Sequence, residues 1–284
     1  MKINAKTKVY GVIGDPIEHS LSPIIHNAAF KKLKLNAVYL AFKVSPTNLA
    51  DAVKGLKSLG VSGFNVTIPH KISIIPLLDE VDSLAEKIGA VNTVKNVDGK
   101  LVGYNTDGEG ALKALEENGV SLKNKKIVLV GAGGASRALA FTFANYAEEL
   151  IILNRTEEKA INLAASISKN YGLKVKGLRL NEENLTLELK DADILVNTTS
   201  VGMYPNIKET PIPKKLIKPG MVVFDIVYKP LKTRLLRDAK LKGAKVVDGL
   251  AMLVYQAVKA FEIWTGLHPP VNVMFKAALR GLKG

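Results

Sequence analysis

The chain has 284 residues, 47% apolar and 23% charged, which is the length of about two domains and the make-up of a globular protein. No apolar run approaches the roughly 18 residues that cross a bilayer, and MKINAKTKVYGVIG has lysines but no apolar segment before a cleavage site, so a cytoplasmic protein is expected. Zero cysteines exclude disulfides, thiolate metal sites and cysteine nucleophiles; the net charge of +14 is spread over dispersed lysines with only 6% aromatics, which argues for an anion-attracting surface and against a nucleic-acid partner.

Lys8 to Gly14 predicts a first strand. After the loop 15–23, Pro23 opens a helix to about Lys34, with Ser22 as its N-cap. The hydroxyls of Ser20 and Ser22 stand beside a strand's C-terminal edge, where they either cap and turn the chain or bind an anionic, hydroxylated ligand. Ala37 to Val44 alternates as a strand, and Pro46 to Leu59 has helical spacing.

Gly63 to Lys71, GFNVTIPHK, predicts a strand feeding a proline turn and another helix. Asn65, Thr67 and Lys71 would converge on a strand end, where α/β sites lie. A lysine opening a helix works against the helix dipole, which hints at a task for Lys71 beyond local stability. A short helix at 82–88 then leads to Gly89-Ala90-Val91-Asn92-Thr93-Val94, and Asp98-Gly99 makes a hairpin turn. A further helix runs from Thr106-Asp107-Gly108 to Asn118. Asn92 and Asp107 flank the hairpin and can face one site, although Asp107 also reads as an ordinary acidic helix start.

Lys126 to Ala138, KIVLVGAGGASRA, carries the strongest local signal. A buried strand, a glycine turn and a helix N-terminus in that order hold a dinucleotide pyrophosphate. The third glycine of the GxGxxG pattern is replaced by Ser136, which is small enough to pack helix on strand. Strands and helices then alternate through Glu149–Leu153, Glu157–Asn170, Lys174–Leu178, Ile194–Asn197 and Val222–Asp225, which predicts a doubly wound parallel sheet.

The acid that binds the ribose of NAD usually lies about 20 residues past the glycines. Here Asn154-Arg155-Thr156 occupies that place. A carboxylate would repel a 2′-phosphate and a guanidinium accepts one, so Arg155, helped by Lys159, argues for NADP. The loop 197–203 and the strand end 225–230 are further candidates to line the cofactor. An amphipathic helix carrying Gln256 runs to Trp264, and a final helix covers Val271 to Leu282. Gln256 on an apolar face suggests a ligand or a backbone partner. His19, His26, His70 and His268 have no ligand spacing, so no metal is expected.

Seven motifs stand in register: Ser20-Leu-Ser22-Pro-x-x-His26-Asn27, Asn65-Val-Thr67-Ile-Pro-His-Lys71, Gly89-Ala-Val-Asn92-Thr, Gly103-Tyr-Asn-Thr-Asp107-Gly, the glycine loop, Asn154-Arg155-Thr156 and Asp248-Gly249. Together they closely resemble the shikimate dehydrogenase family over almost the whole chain. The resemblance implies an N-terminal α/β substrate domain, residues 1–106, joined by C-terminal helices 250–284, and a Rossmann-type NADP(H)-binding domain, residues 107–249. It implies a reversible NADPH-dependent reduction of 3-dehydroshikimate to shikimate in aromatic amino-acid biosynthesis, with the substrate between the domains against the nicotinamide.

By the same resemblance, Lys71 and Asp107 form the catalytic pair and Ser20 and Ser22 bind the substrate carboxylate. Asn65, Thr67, Asn92, Asp107, Tyr228 and Gln256 contact its ring hydroxyls. Gly131, Ala132, Gly133, Gly134, Ala135, Asn154, Arg155, Thr156, Lys159, Thr198, Ile226 and Gly249 are the expected cofactor residues. A homodimer is the candidate assembly. Two alternatives stand beside this reading. One is a quinate/shikimate dehydrogenase using NAD(P), against which Arg155 speaks. The other is a non-catalytic, ligand-sensing relative, against which the presence of both Lys71 and Asp107 speaks.

Overall fold

The computed structural model describes residues 3–282. The chain divides into two compact units, Met1–Asp107 with Val254–Gly284, and Gly108–Leu253.

The first unit is built on a six-stranded sheet in the order β2-β1-β3-β5-β6-β4. Its strands are β1 (Lys8–Gly14), β2 (Ala37–Lys43), β3 (Gly63–Val66), β4 (Glu80–Val81), β5 (Thr93–Val97) and β6 (Lys100–Tyr104). β1 pairs in parallel with β2 and β3, whereas β5 runs antiparallel to both of its neighbours, β3 and β6. The β5–β6 hairpin closes on Asp98 and Gly99, both at positive φ (50° and 88°), as a two-residue primed turn requires. One core gathers Ile13, Phe64, Val66, Ile74, Val91, Val94 and Leu101 with the apolar face of α2 (Leu49–Ser58) and Ala85 of α3 (Ser83–Ile88).

The other face of this sheet carries an aromatic cluster. His26 and Phe30 of α1 (Ser22–Lys32), Tyr10 of β1, Tyr39 of β2, and Phe261 and Trp264 of α9 (Gly249–Thr265) pack with ring centroids 4.5–6.4 Å apart. The Trp264 indole N–H donates to the Val94 carbonyl at 2.9 Å, and α10 (Val271–Gly281) packs on α1. From Val254 onward α9, together with α10, is thus built into the first unit.

Three local expectations need correction. α1 begins at Ser22 with Leu21 as its N-cap, and no side chain caps it. The Ser20 hydroxyl instead accepts the Ser22 backbone N–H at 3.3 Å, so Ser22 is not the cap. No α-helix follows Pro69: the chain turns through residues 69–74 into a short 3₁₀ segment, Ile75–Leu77. Pro76 lacks the N–H a helix would need there, and Ile72, Ile74 and Ile75 are β-branched. Lys71 therefore opens no helix, and the dipole argument for it falls away. Finally, the stretch from Pro46 starts as a 3₁₀ turn, Pro46–Asn48, before α2.

The second unit holds β7 (Lys126–Val130), β8 (Glu149–Asn154), β9 (Val175–Arg179), β10 (Ile194–Asn197), β11 (Val222–Asp225) and β12 (Lys245–Val247). All pairings are parallel and the order is β12-β11-β10-β7-β8-β9, the doubly wound Rossmann arrangement, whose order reverses between β7 and β10. The cores of β7, β8, β10 and β11 are buried on both faces, as crossover helices dictate, while the edge strands β9 and β12 are more exposed. Those helices are α5 (Gly134–Phe143), α6 (Glu157–Tyr171), α7 (Glu182–Glu188) and α8 (Arg234–Leu241). At the strand starts lies a charge cluster: Lys126 meets Glu188 at 2.9 Å and Asp191 at 2.6 Å, while Lys176 meets Glu149 at 3.1 Å and Glu188 at 3.3 Å. Among the described residues no helix is long and apolar enough to cross a membrane.

His26 has a consequence for stability. It is fully buried, and neither ring nitrogen has a hydrogen-bond partner among the described residues. Burial disfavours the charged ring and pushes its pKa from 6.5 down to about 3. The unfolded chain therefore binds a proton between these values that the native state does not, and stability falls as pH drops through that window by about 1.4 kcal/mol per pH unit. Trp264, the single tryptophan, lies 5.3 Å from His26 and reports unfolding of this unit by fluorescence. Between pH 7 and 5, His26→Phe should lose about 2 kcal/mol less stability than the parent chain; equal losses would refute the assignment.

Candidate active site

Within the first unit, Lys71 and Asp107 form an ion pair between Nζ and Oδ2, with 17% and 5% of their side chains exposed. Asp107 opens α4 (Asp107–Glu117), and its own N–H is capped by Asn105 Oδ1 at 3.0 Å. The Lys71 carbonyl accepts the Val91 N–H at 2.7 Å, which ties the lysine's turn to the segment that carries Asn92 into β5.

Asn92 is 2% exposed and fully engaged. Its Nδ2 donates to Asp107 Oδ1 at 2.8 Å and to Thr106 Oγ1 at 2.9 Å. Its Oδ1 accepts from the Thr106 N–H at 2.8 Å and from Thr93 Oγ1 at 3.0 Å. Each Asp107 oxygen is thus held by a donor, one cationic and one neutral, and the carboxylate has its place fixed from both sides.

Asn65, buried in β3, donates to the Asn92 carbonyl at 3.1 Å and to Thr93 Oγ1 at 3.0 Å, and accepts from the Tyr39 phenol at 2.6 Å. Burial raises the Tyr39 pKa well above its usual value, and a hydrogen bond with the Ser22 hydroxyl partly opposes this. Thr67 is half-buried at the end of β3, with Gly14 so close that a Cβ there would collide with Thr67. Ser20 is half-buried and Gln256 is buried on α9, both in this unit. Tyr228 belongs to the second unit, where burial raises its pKa.

The second unit brings most of the other expected residues to the C-terminal ends of its strands. Gly131 has φ 118°, and a Cβ on it would strike Thr198, whose hydroxyl and N–H both donate to the Val130 carbonyl at 2.7 and 2.9 Å. Gly133 is the N-cap of α5, and a Cβ on it would meet no protein atom. Packing does not require glycine there; close approach of a phosphate to the helix N-terminus does. The residues thus fit a dinucleotide. Ser136 is fully buried and donates to the Gly131 carbonyl at 2.6 Å, so it pins the turn to the helix where a third glycine would only pack.

Asn154 ends β8 and Arg155 and Thr156 form the bend after it, with Asn154 Nδ2 donating to the Thr156 carbonyl at 2.9 Å. Arg155 and Lys159 are exposed, and neither guanidinium nor ammonium has a protein partner among the described residues. Ala132 lies in the glycine turn and Ala135 in the first turn of α5. Gly249 sits so near the Ile226 carbonyl that a Cβ could not fit.

Sequence reasoning missed two parts of this arrangement. Tyr39 stands 26 residues from Asn65 and carries no local signal. Asp225 ends β11 fully buried, accepting from Thr233 Oγ1 at 2.7 Å, Asn197 Nδ2 at 3.0 Å and the Val227 N–H at 3.1 Å. Burial nevertheless pushes its pKa up to about 6. Asn197 Oδ1 in turn accepts from the Thr199 hydroxyl and N–H, so Asp225 anchors the loop after β10. Among the described residues no cluster of His, Asp and Glu could hold a metal ion.

Residues 12–94 match the shikimate dehydrogenase substrate-binding domain, residues 112–228 the shikimate/quinate 5-dehydrogenase domain and residues 249–279 the shikimate 5′-dehydrogenase C-terminal domain. The chain is 53% identical over 278 residues to a shikimate dehydrogenase (NADP(+)) of Methanocaldococcus jannaschii, covering 98% of each chain. A crystal structure of a shikimate dehydrogenase in complex with NADP+ superposes with a TM-score of 0.92 at 50% identity, covering 99% of this chain and 98% of that one. The Thermus thermophilus shikimate 5-dehydrogenase, in complex with NADP(H) and shikimate, superposes with a TM-score of 0.86 at 39% identity, covering 97% and 100%. The three matched segments follow one another through both units, and the chain belongs to the shikimate dehydrogenase family.

Proposed function

We propose that the chain catalyses the reversible NADPH-dependent reduction of 3-dehydroshikimate to shikimate, in aromatic amino-acid biosynthesis, with Lys71 and Asp107 as its catalytic pair. The observation that carries the assignment of the pair is their part-buried ion pair, held by Asn92 in the unit that also contains Ser20, Ser22, Asn65 and Thr67. When bound, NADP(H) supplies or accepts the hydride. What remains for the protein is to hold the substrate and handle one proton.

During reduction, negative charge grows on the carbonyl oxygen. The Lys71 ammonium hydrogen-bonds that oxygen and delivers a proton from Nζ to it. In the reverse direction neutral Lys71 accepts the hydroxyl proton. Asp107 aims the ammonium and favours its charged form, and the proton that Lys71 gives up is replaced from solvent. The Asp107 Oδ1, anchored by Asn92, is the fixed point of that arrangement. Ser20 and Ser22 donate to the substrate carboxylate; Asn65, Thr67, Gln256 and Tyr228 contact ring hydroxyls, and Asn92 does so by exchanging its Nδ2 bond to Thr106 Oγ1 for one to a hydroxyl, keeping its bond to Asp107.

In the second unit, the α5 N-terminus at Gly133 receives the pyrophosphate. Arg155, with Lys159, binds the 2′-phosphate by charge-assisted bonds that no NAD ribose can replace. Arg155, together with the NADP dependence of the close relatives, disfavours the quinate-oxidising, NAD-using alternative. The ion pair's retention disfavours a ligand sensor.

Initial rates followed at the nicotinamide absorbance band, for shikimate and quinate with NADP and NAD, test the reaction; shikimate with NADP should be fastest. Lys71→Ala should lower kcat roughly 10²–10⁴-fold while calorimetry still detects shikimate binding, and an unchanged kcat would remove Lys71 from the chemistry. Arg155→Ala should raise the KM for NADP on the order of tenfold or more, as loss of a bidentate charge-assisted contact does, and leave that for NAD nearly unaltered. A parallel rise for both cofactors would argue against a 2′-phosphate contact.

A further inference from the structure

Neither Tyr39 nor Thr93 has a role in the reaction described so far, yet both hydroxyls lie on one buried path to Asp107. Tyr39 is 1% exposed and Thr93 fully buried. The direction of every hydrogen bond on that path can be derived from two backbone groups. The Thr106 N–H can only donate, and it ends on Asn92 Oδ1 at 2.8 Å, so the Asn92 Nδ2 faces Asp107. The Asn92 carbonyl can only accept, and it takes Asn65 Nδ2 at 3.1 Å, so Asn65 Oδ1 faces the phenol.

The phenol must therefore donate to Asn65, Asn65 to Thr93, Thr93 to Asn92, and Asn92 to Asp107. All protons point one way, toward the carboxylate, and each bond polarises the next. Two amides in the path cannot relay a proton without unfavourable tautomers, so this is a means of orientation and not a proton wire. Both Asn65 amide protons are consumed within the protein and one Oδ1 lone pair takes the Tyr39 phenol, which leaves the second Oδ1 lone pair as the acceptor for a ligand hydroxyl. A flipped Asn65 would set an amide N–H against the phenol's donor direction and an oxygen against the Asn92 carbonyl. The phenol itself cannot drift, because its ring stacks on the His26 imidazole with centroids 4.5 Å apart and planes 11° apart.

We infer that Tyr39 is a positioning residue for substrate recognition: its hydroxyl fixes the Asn65 amide, and Thr93 carries that order to the Asn92 amide that holds Asp107. The inference rests on the functional reading above and deepens it, since it assigns the donor–acceptor sense in which Asn65 meets a substrate hydroxyl.

The test is steady-state kinetics of the full chain with shikimate and NADP. Tyr39→Phe keeps the ring on His26 and removes only the hydroxyl. It should raise the KM for shikimate about tenfold, the loss of roughly one well-made hydrogen bond, with the KM for NADP unchanged and kcat within about threefold of the parent. Thr93→Val should lower kcat severalfold, and Thr93→Ser, which restores the hydroxyl, should recover it. The double variant Tyr39→Phe/Thr93→Val should lose less kcat/KM than the product of the single losses, because one chain is cut twice.

An unaltered shikimate KM in Tyr39→Phe overturns the inference. So does a shift of kcat and both KM values together with a lowered melting temperature, which is what a merely structural residue gives. Should Tyr39→Phe fail to fold, the Thr93→Val and Thr93→Ser pair decides, and a serine that does not rescue is the adverse result. The parent chain is assayed first: no turnover there rejects the functional reading itself, whereas turnover with an indifferent Tyr39→Phe rejects only the positioning role.

Discussion

The Asn92 side chain is the joint of the first unit. A buried amide has four hydrogen-bonding sites and leaves a penalty of about 1–3 kcal/mol wherever one is unmet. Asn92 meets them with the Thr106 N–H, the Thr106 and Thr93 hydroxyls and the Asp107 carboxylate. Its backbone is no freer: the N–H donates to Tyr104 and the carbonyl accepts from Val66 and Asn65. Replacing it with any residue of another shape would orphan several groups at once, the situation in which partly satisfied networks do worst. An ion pair with little exposure is a weak source of stability in general. Here it is supported by neutral donors that fix its geometry, which is what a proton-handling pair needs.

The second unit meets a different constraint. Its ligand-facing loops must leave room, and the room is made by missing side chains and by hydroxyls that tie backbone to backbone. Gly131 lets Thr198 close on the end of β7, Gly249 lets the Ile226 carbonyl approach, and Ser136 locks the turn from behind. Asp225 extends the same logic to β10 and β11, at the expense of holding a carboxylate where burial resists its charge. Between pH 6 and 4 that group takes up a proton in the folded chain before it does so in the unfolded one. Acidification over that range thus favours the fold at Asp225 and opposes it at His26.

What could be read in the sequence was what is contiguous. The strand–glycine–helix order of 126–138, the Asp98-Gly99 turn and the Asn154-Arg155-Thr156 bend each place their chemistry within a few residues, where propensity and sterics decide. The long helices from Glu157 and to Trp264 declared themselves by period. β12 is three residues long and too short for any period to show, and α8, with a Thr233 cap and apolar Leu235, Leu236 and Ala239 on one side, had a signal that went unread. The helix expected at Lys71 failed because Pro76 and neighbouring β-branched residues outweigh the pattern of the preceding turn. Ser22 looked like a cap because Pro23 follows it, but Leu21 is the N-cap and no side chain caps the helix, the Ser20 hydroxyl only accepting the Ser22 N–H. The residues on the path from Tyr39 to Asp107 are far apart in the chain, and only the sheet order β2-β1-β3-β5 brings them together.

The charge cluster at the foot of the second sheet has a further implication. Its members sit where strands begin, or in the turns leading to them: Lys126 on β7, Glu149 on β8, Lys176 on β9, Glu188 and Asp191 ahead of β10. The glycines and hydroxyls that shape the dinucleotide loops sit where strands finish. Hydration of ions weakens as temperature rises, so a network of this kind tightens relative to its solvated alternatives on heating. The loops at the opposite edge gain no such reinforcement. Warming this sheet therefore stiffens its base while leaving its working rim as pliant as the glycines allow, and substitutions that retune heat tolerance can accumulate at one edge without being felt at the other.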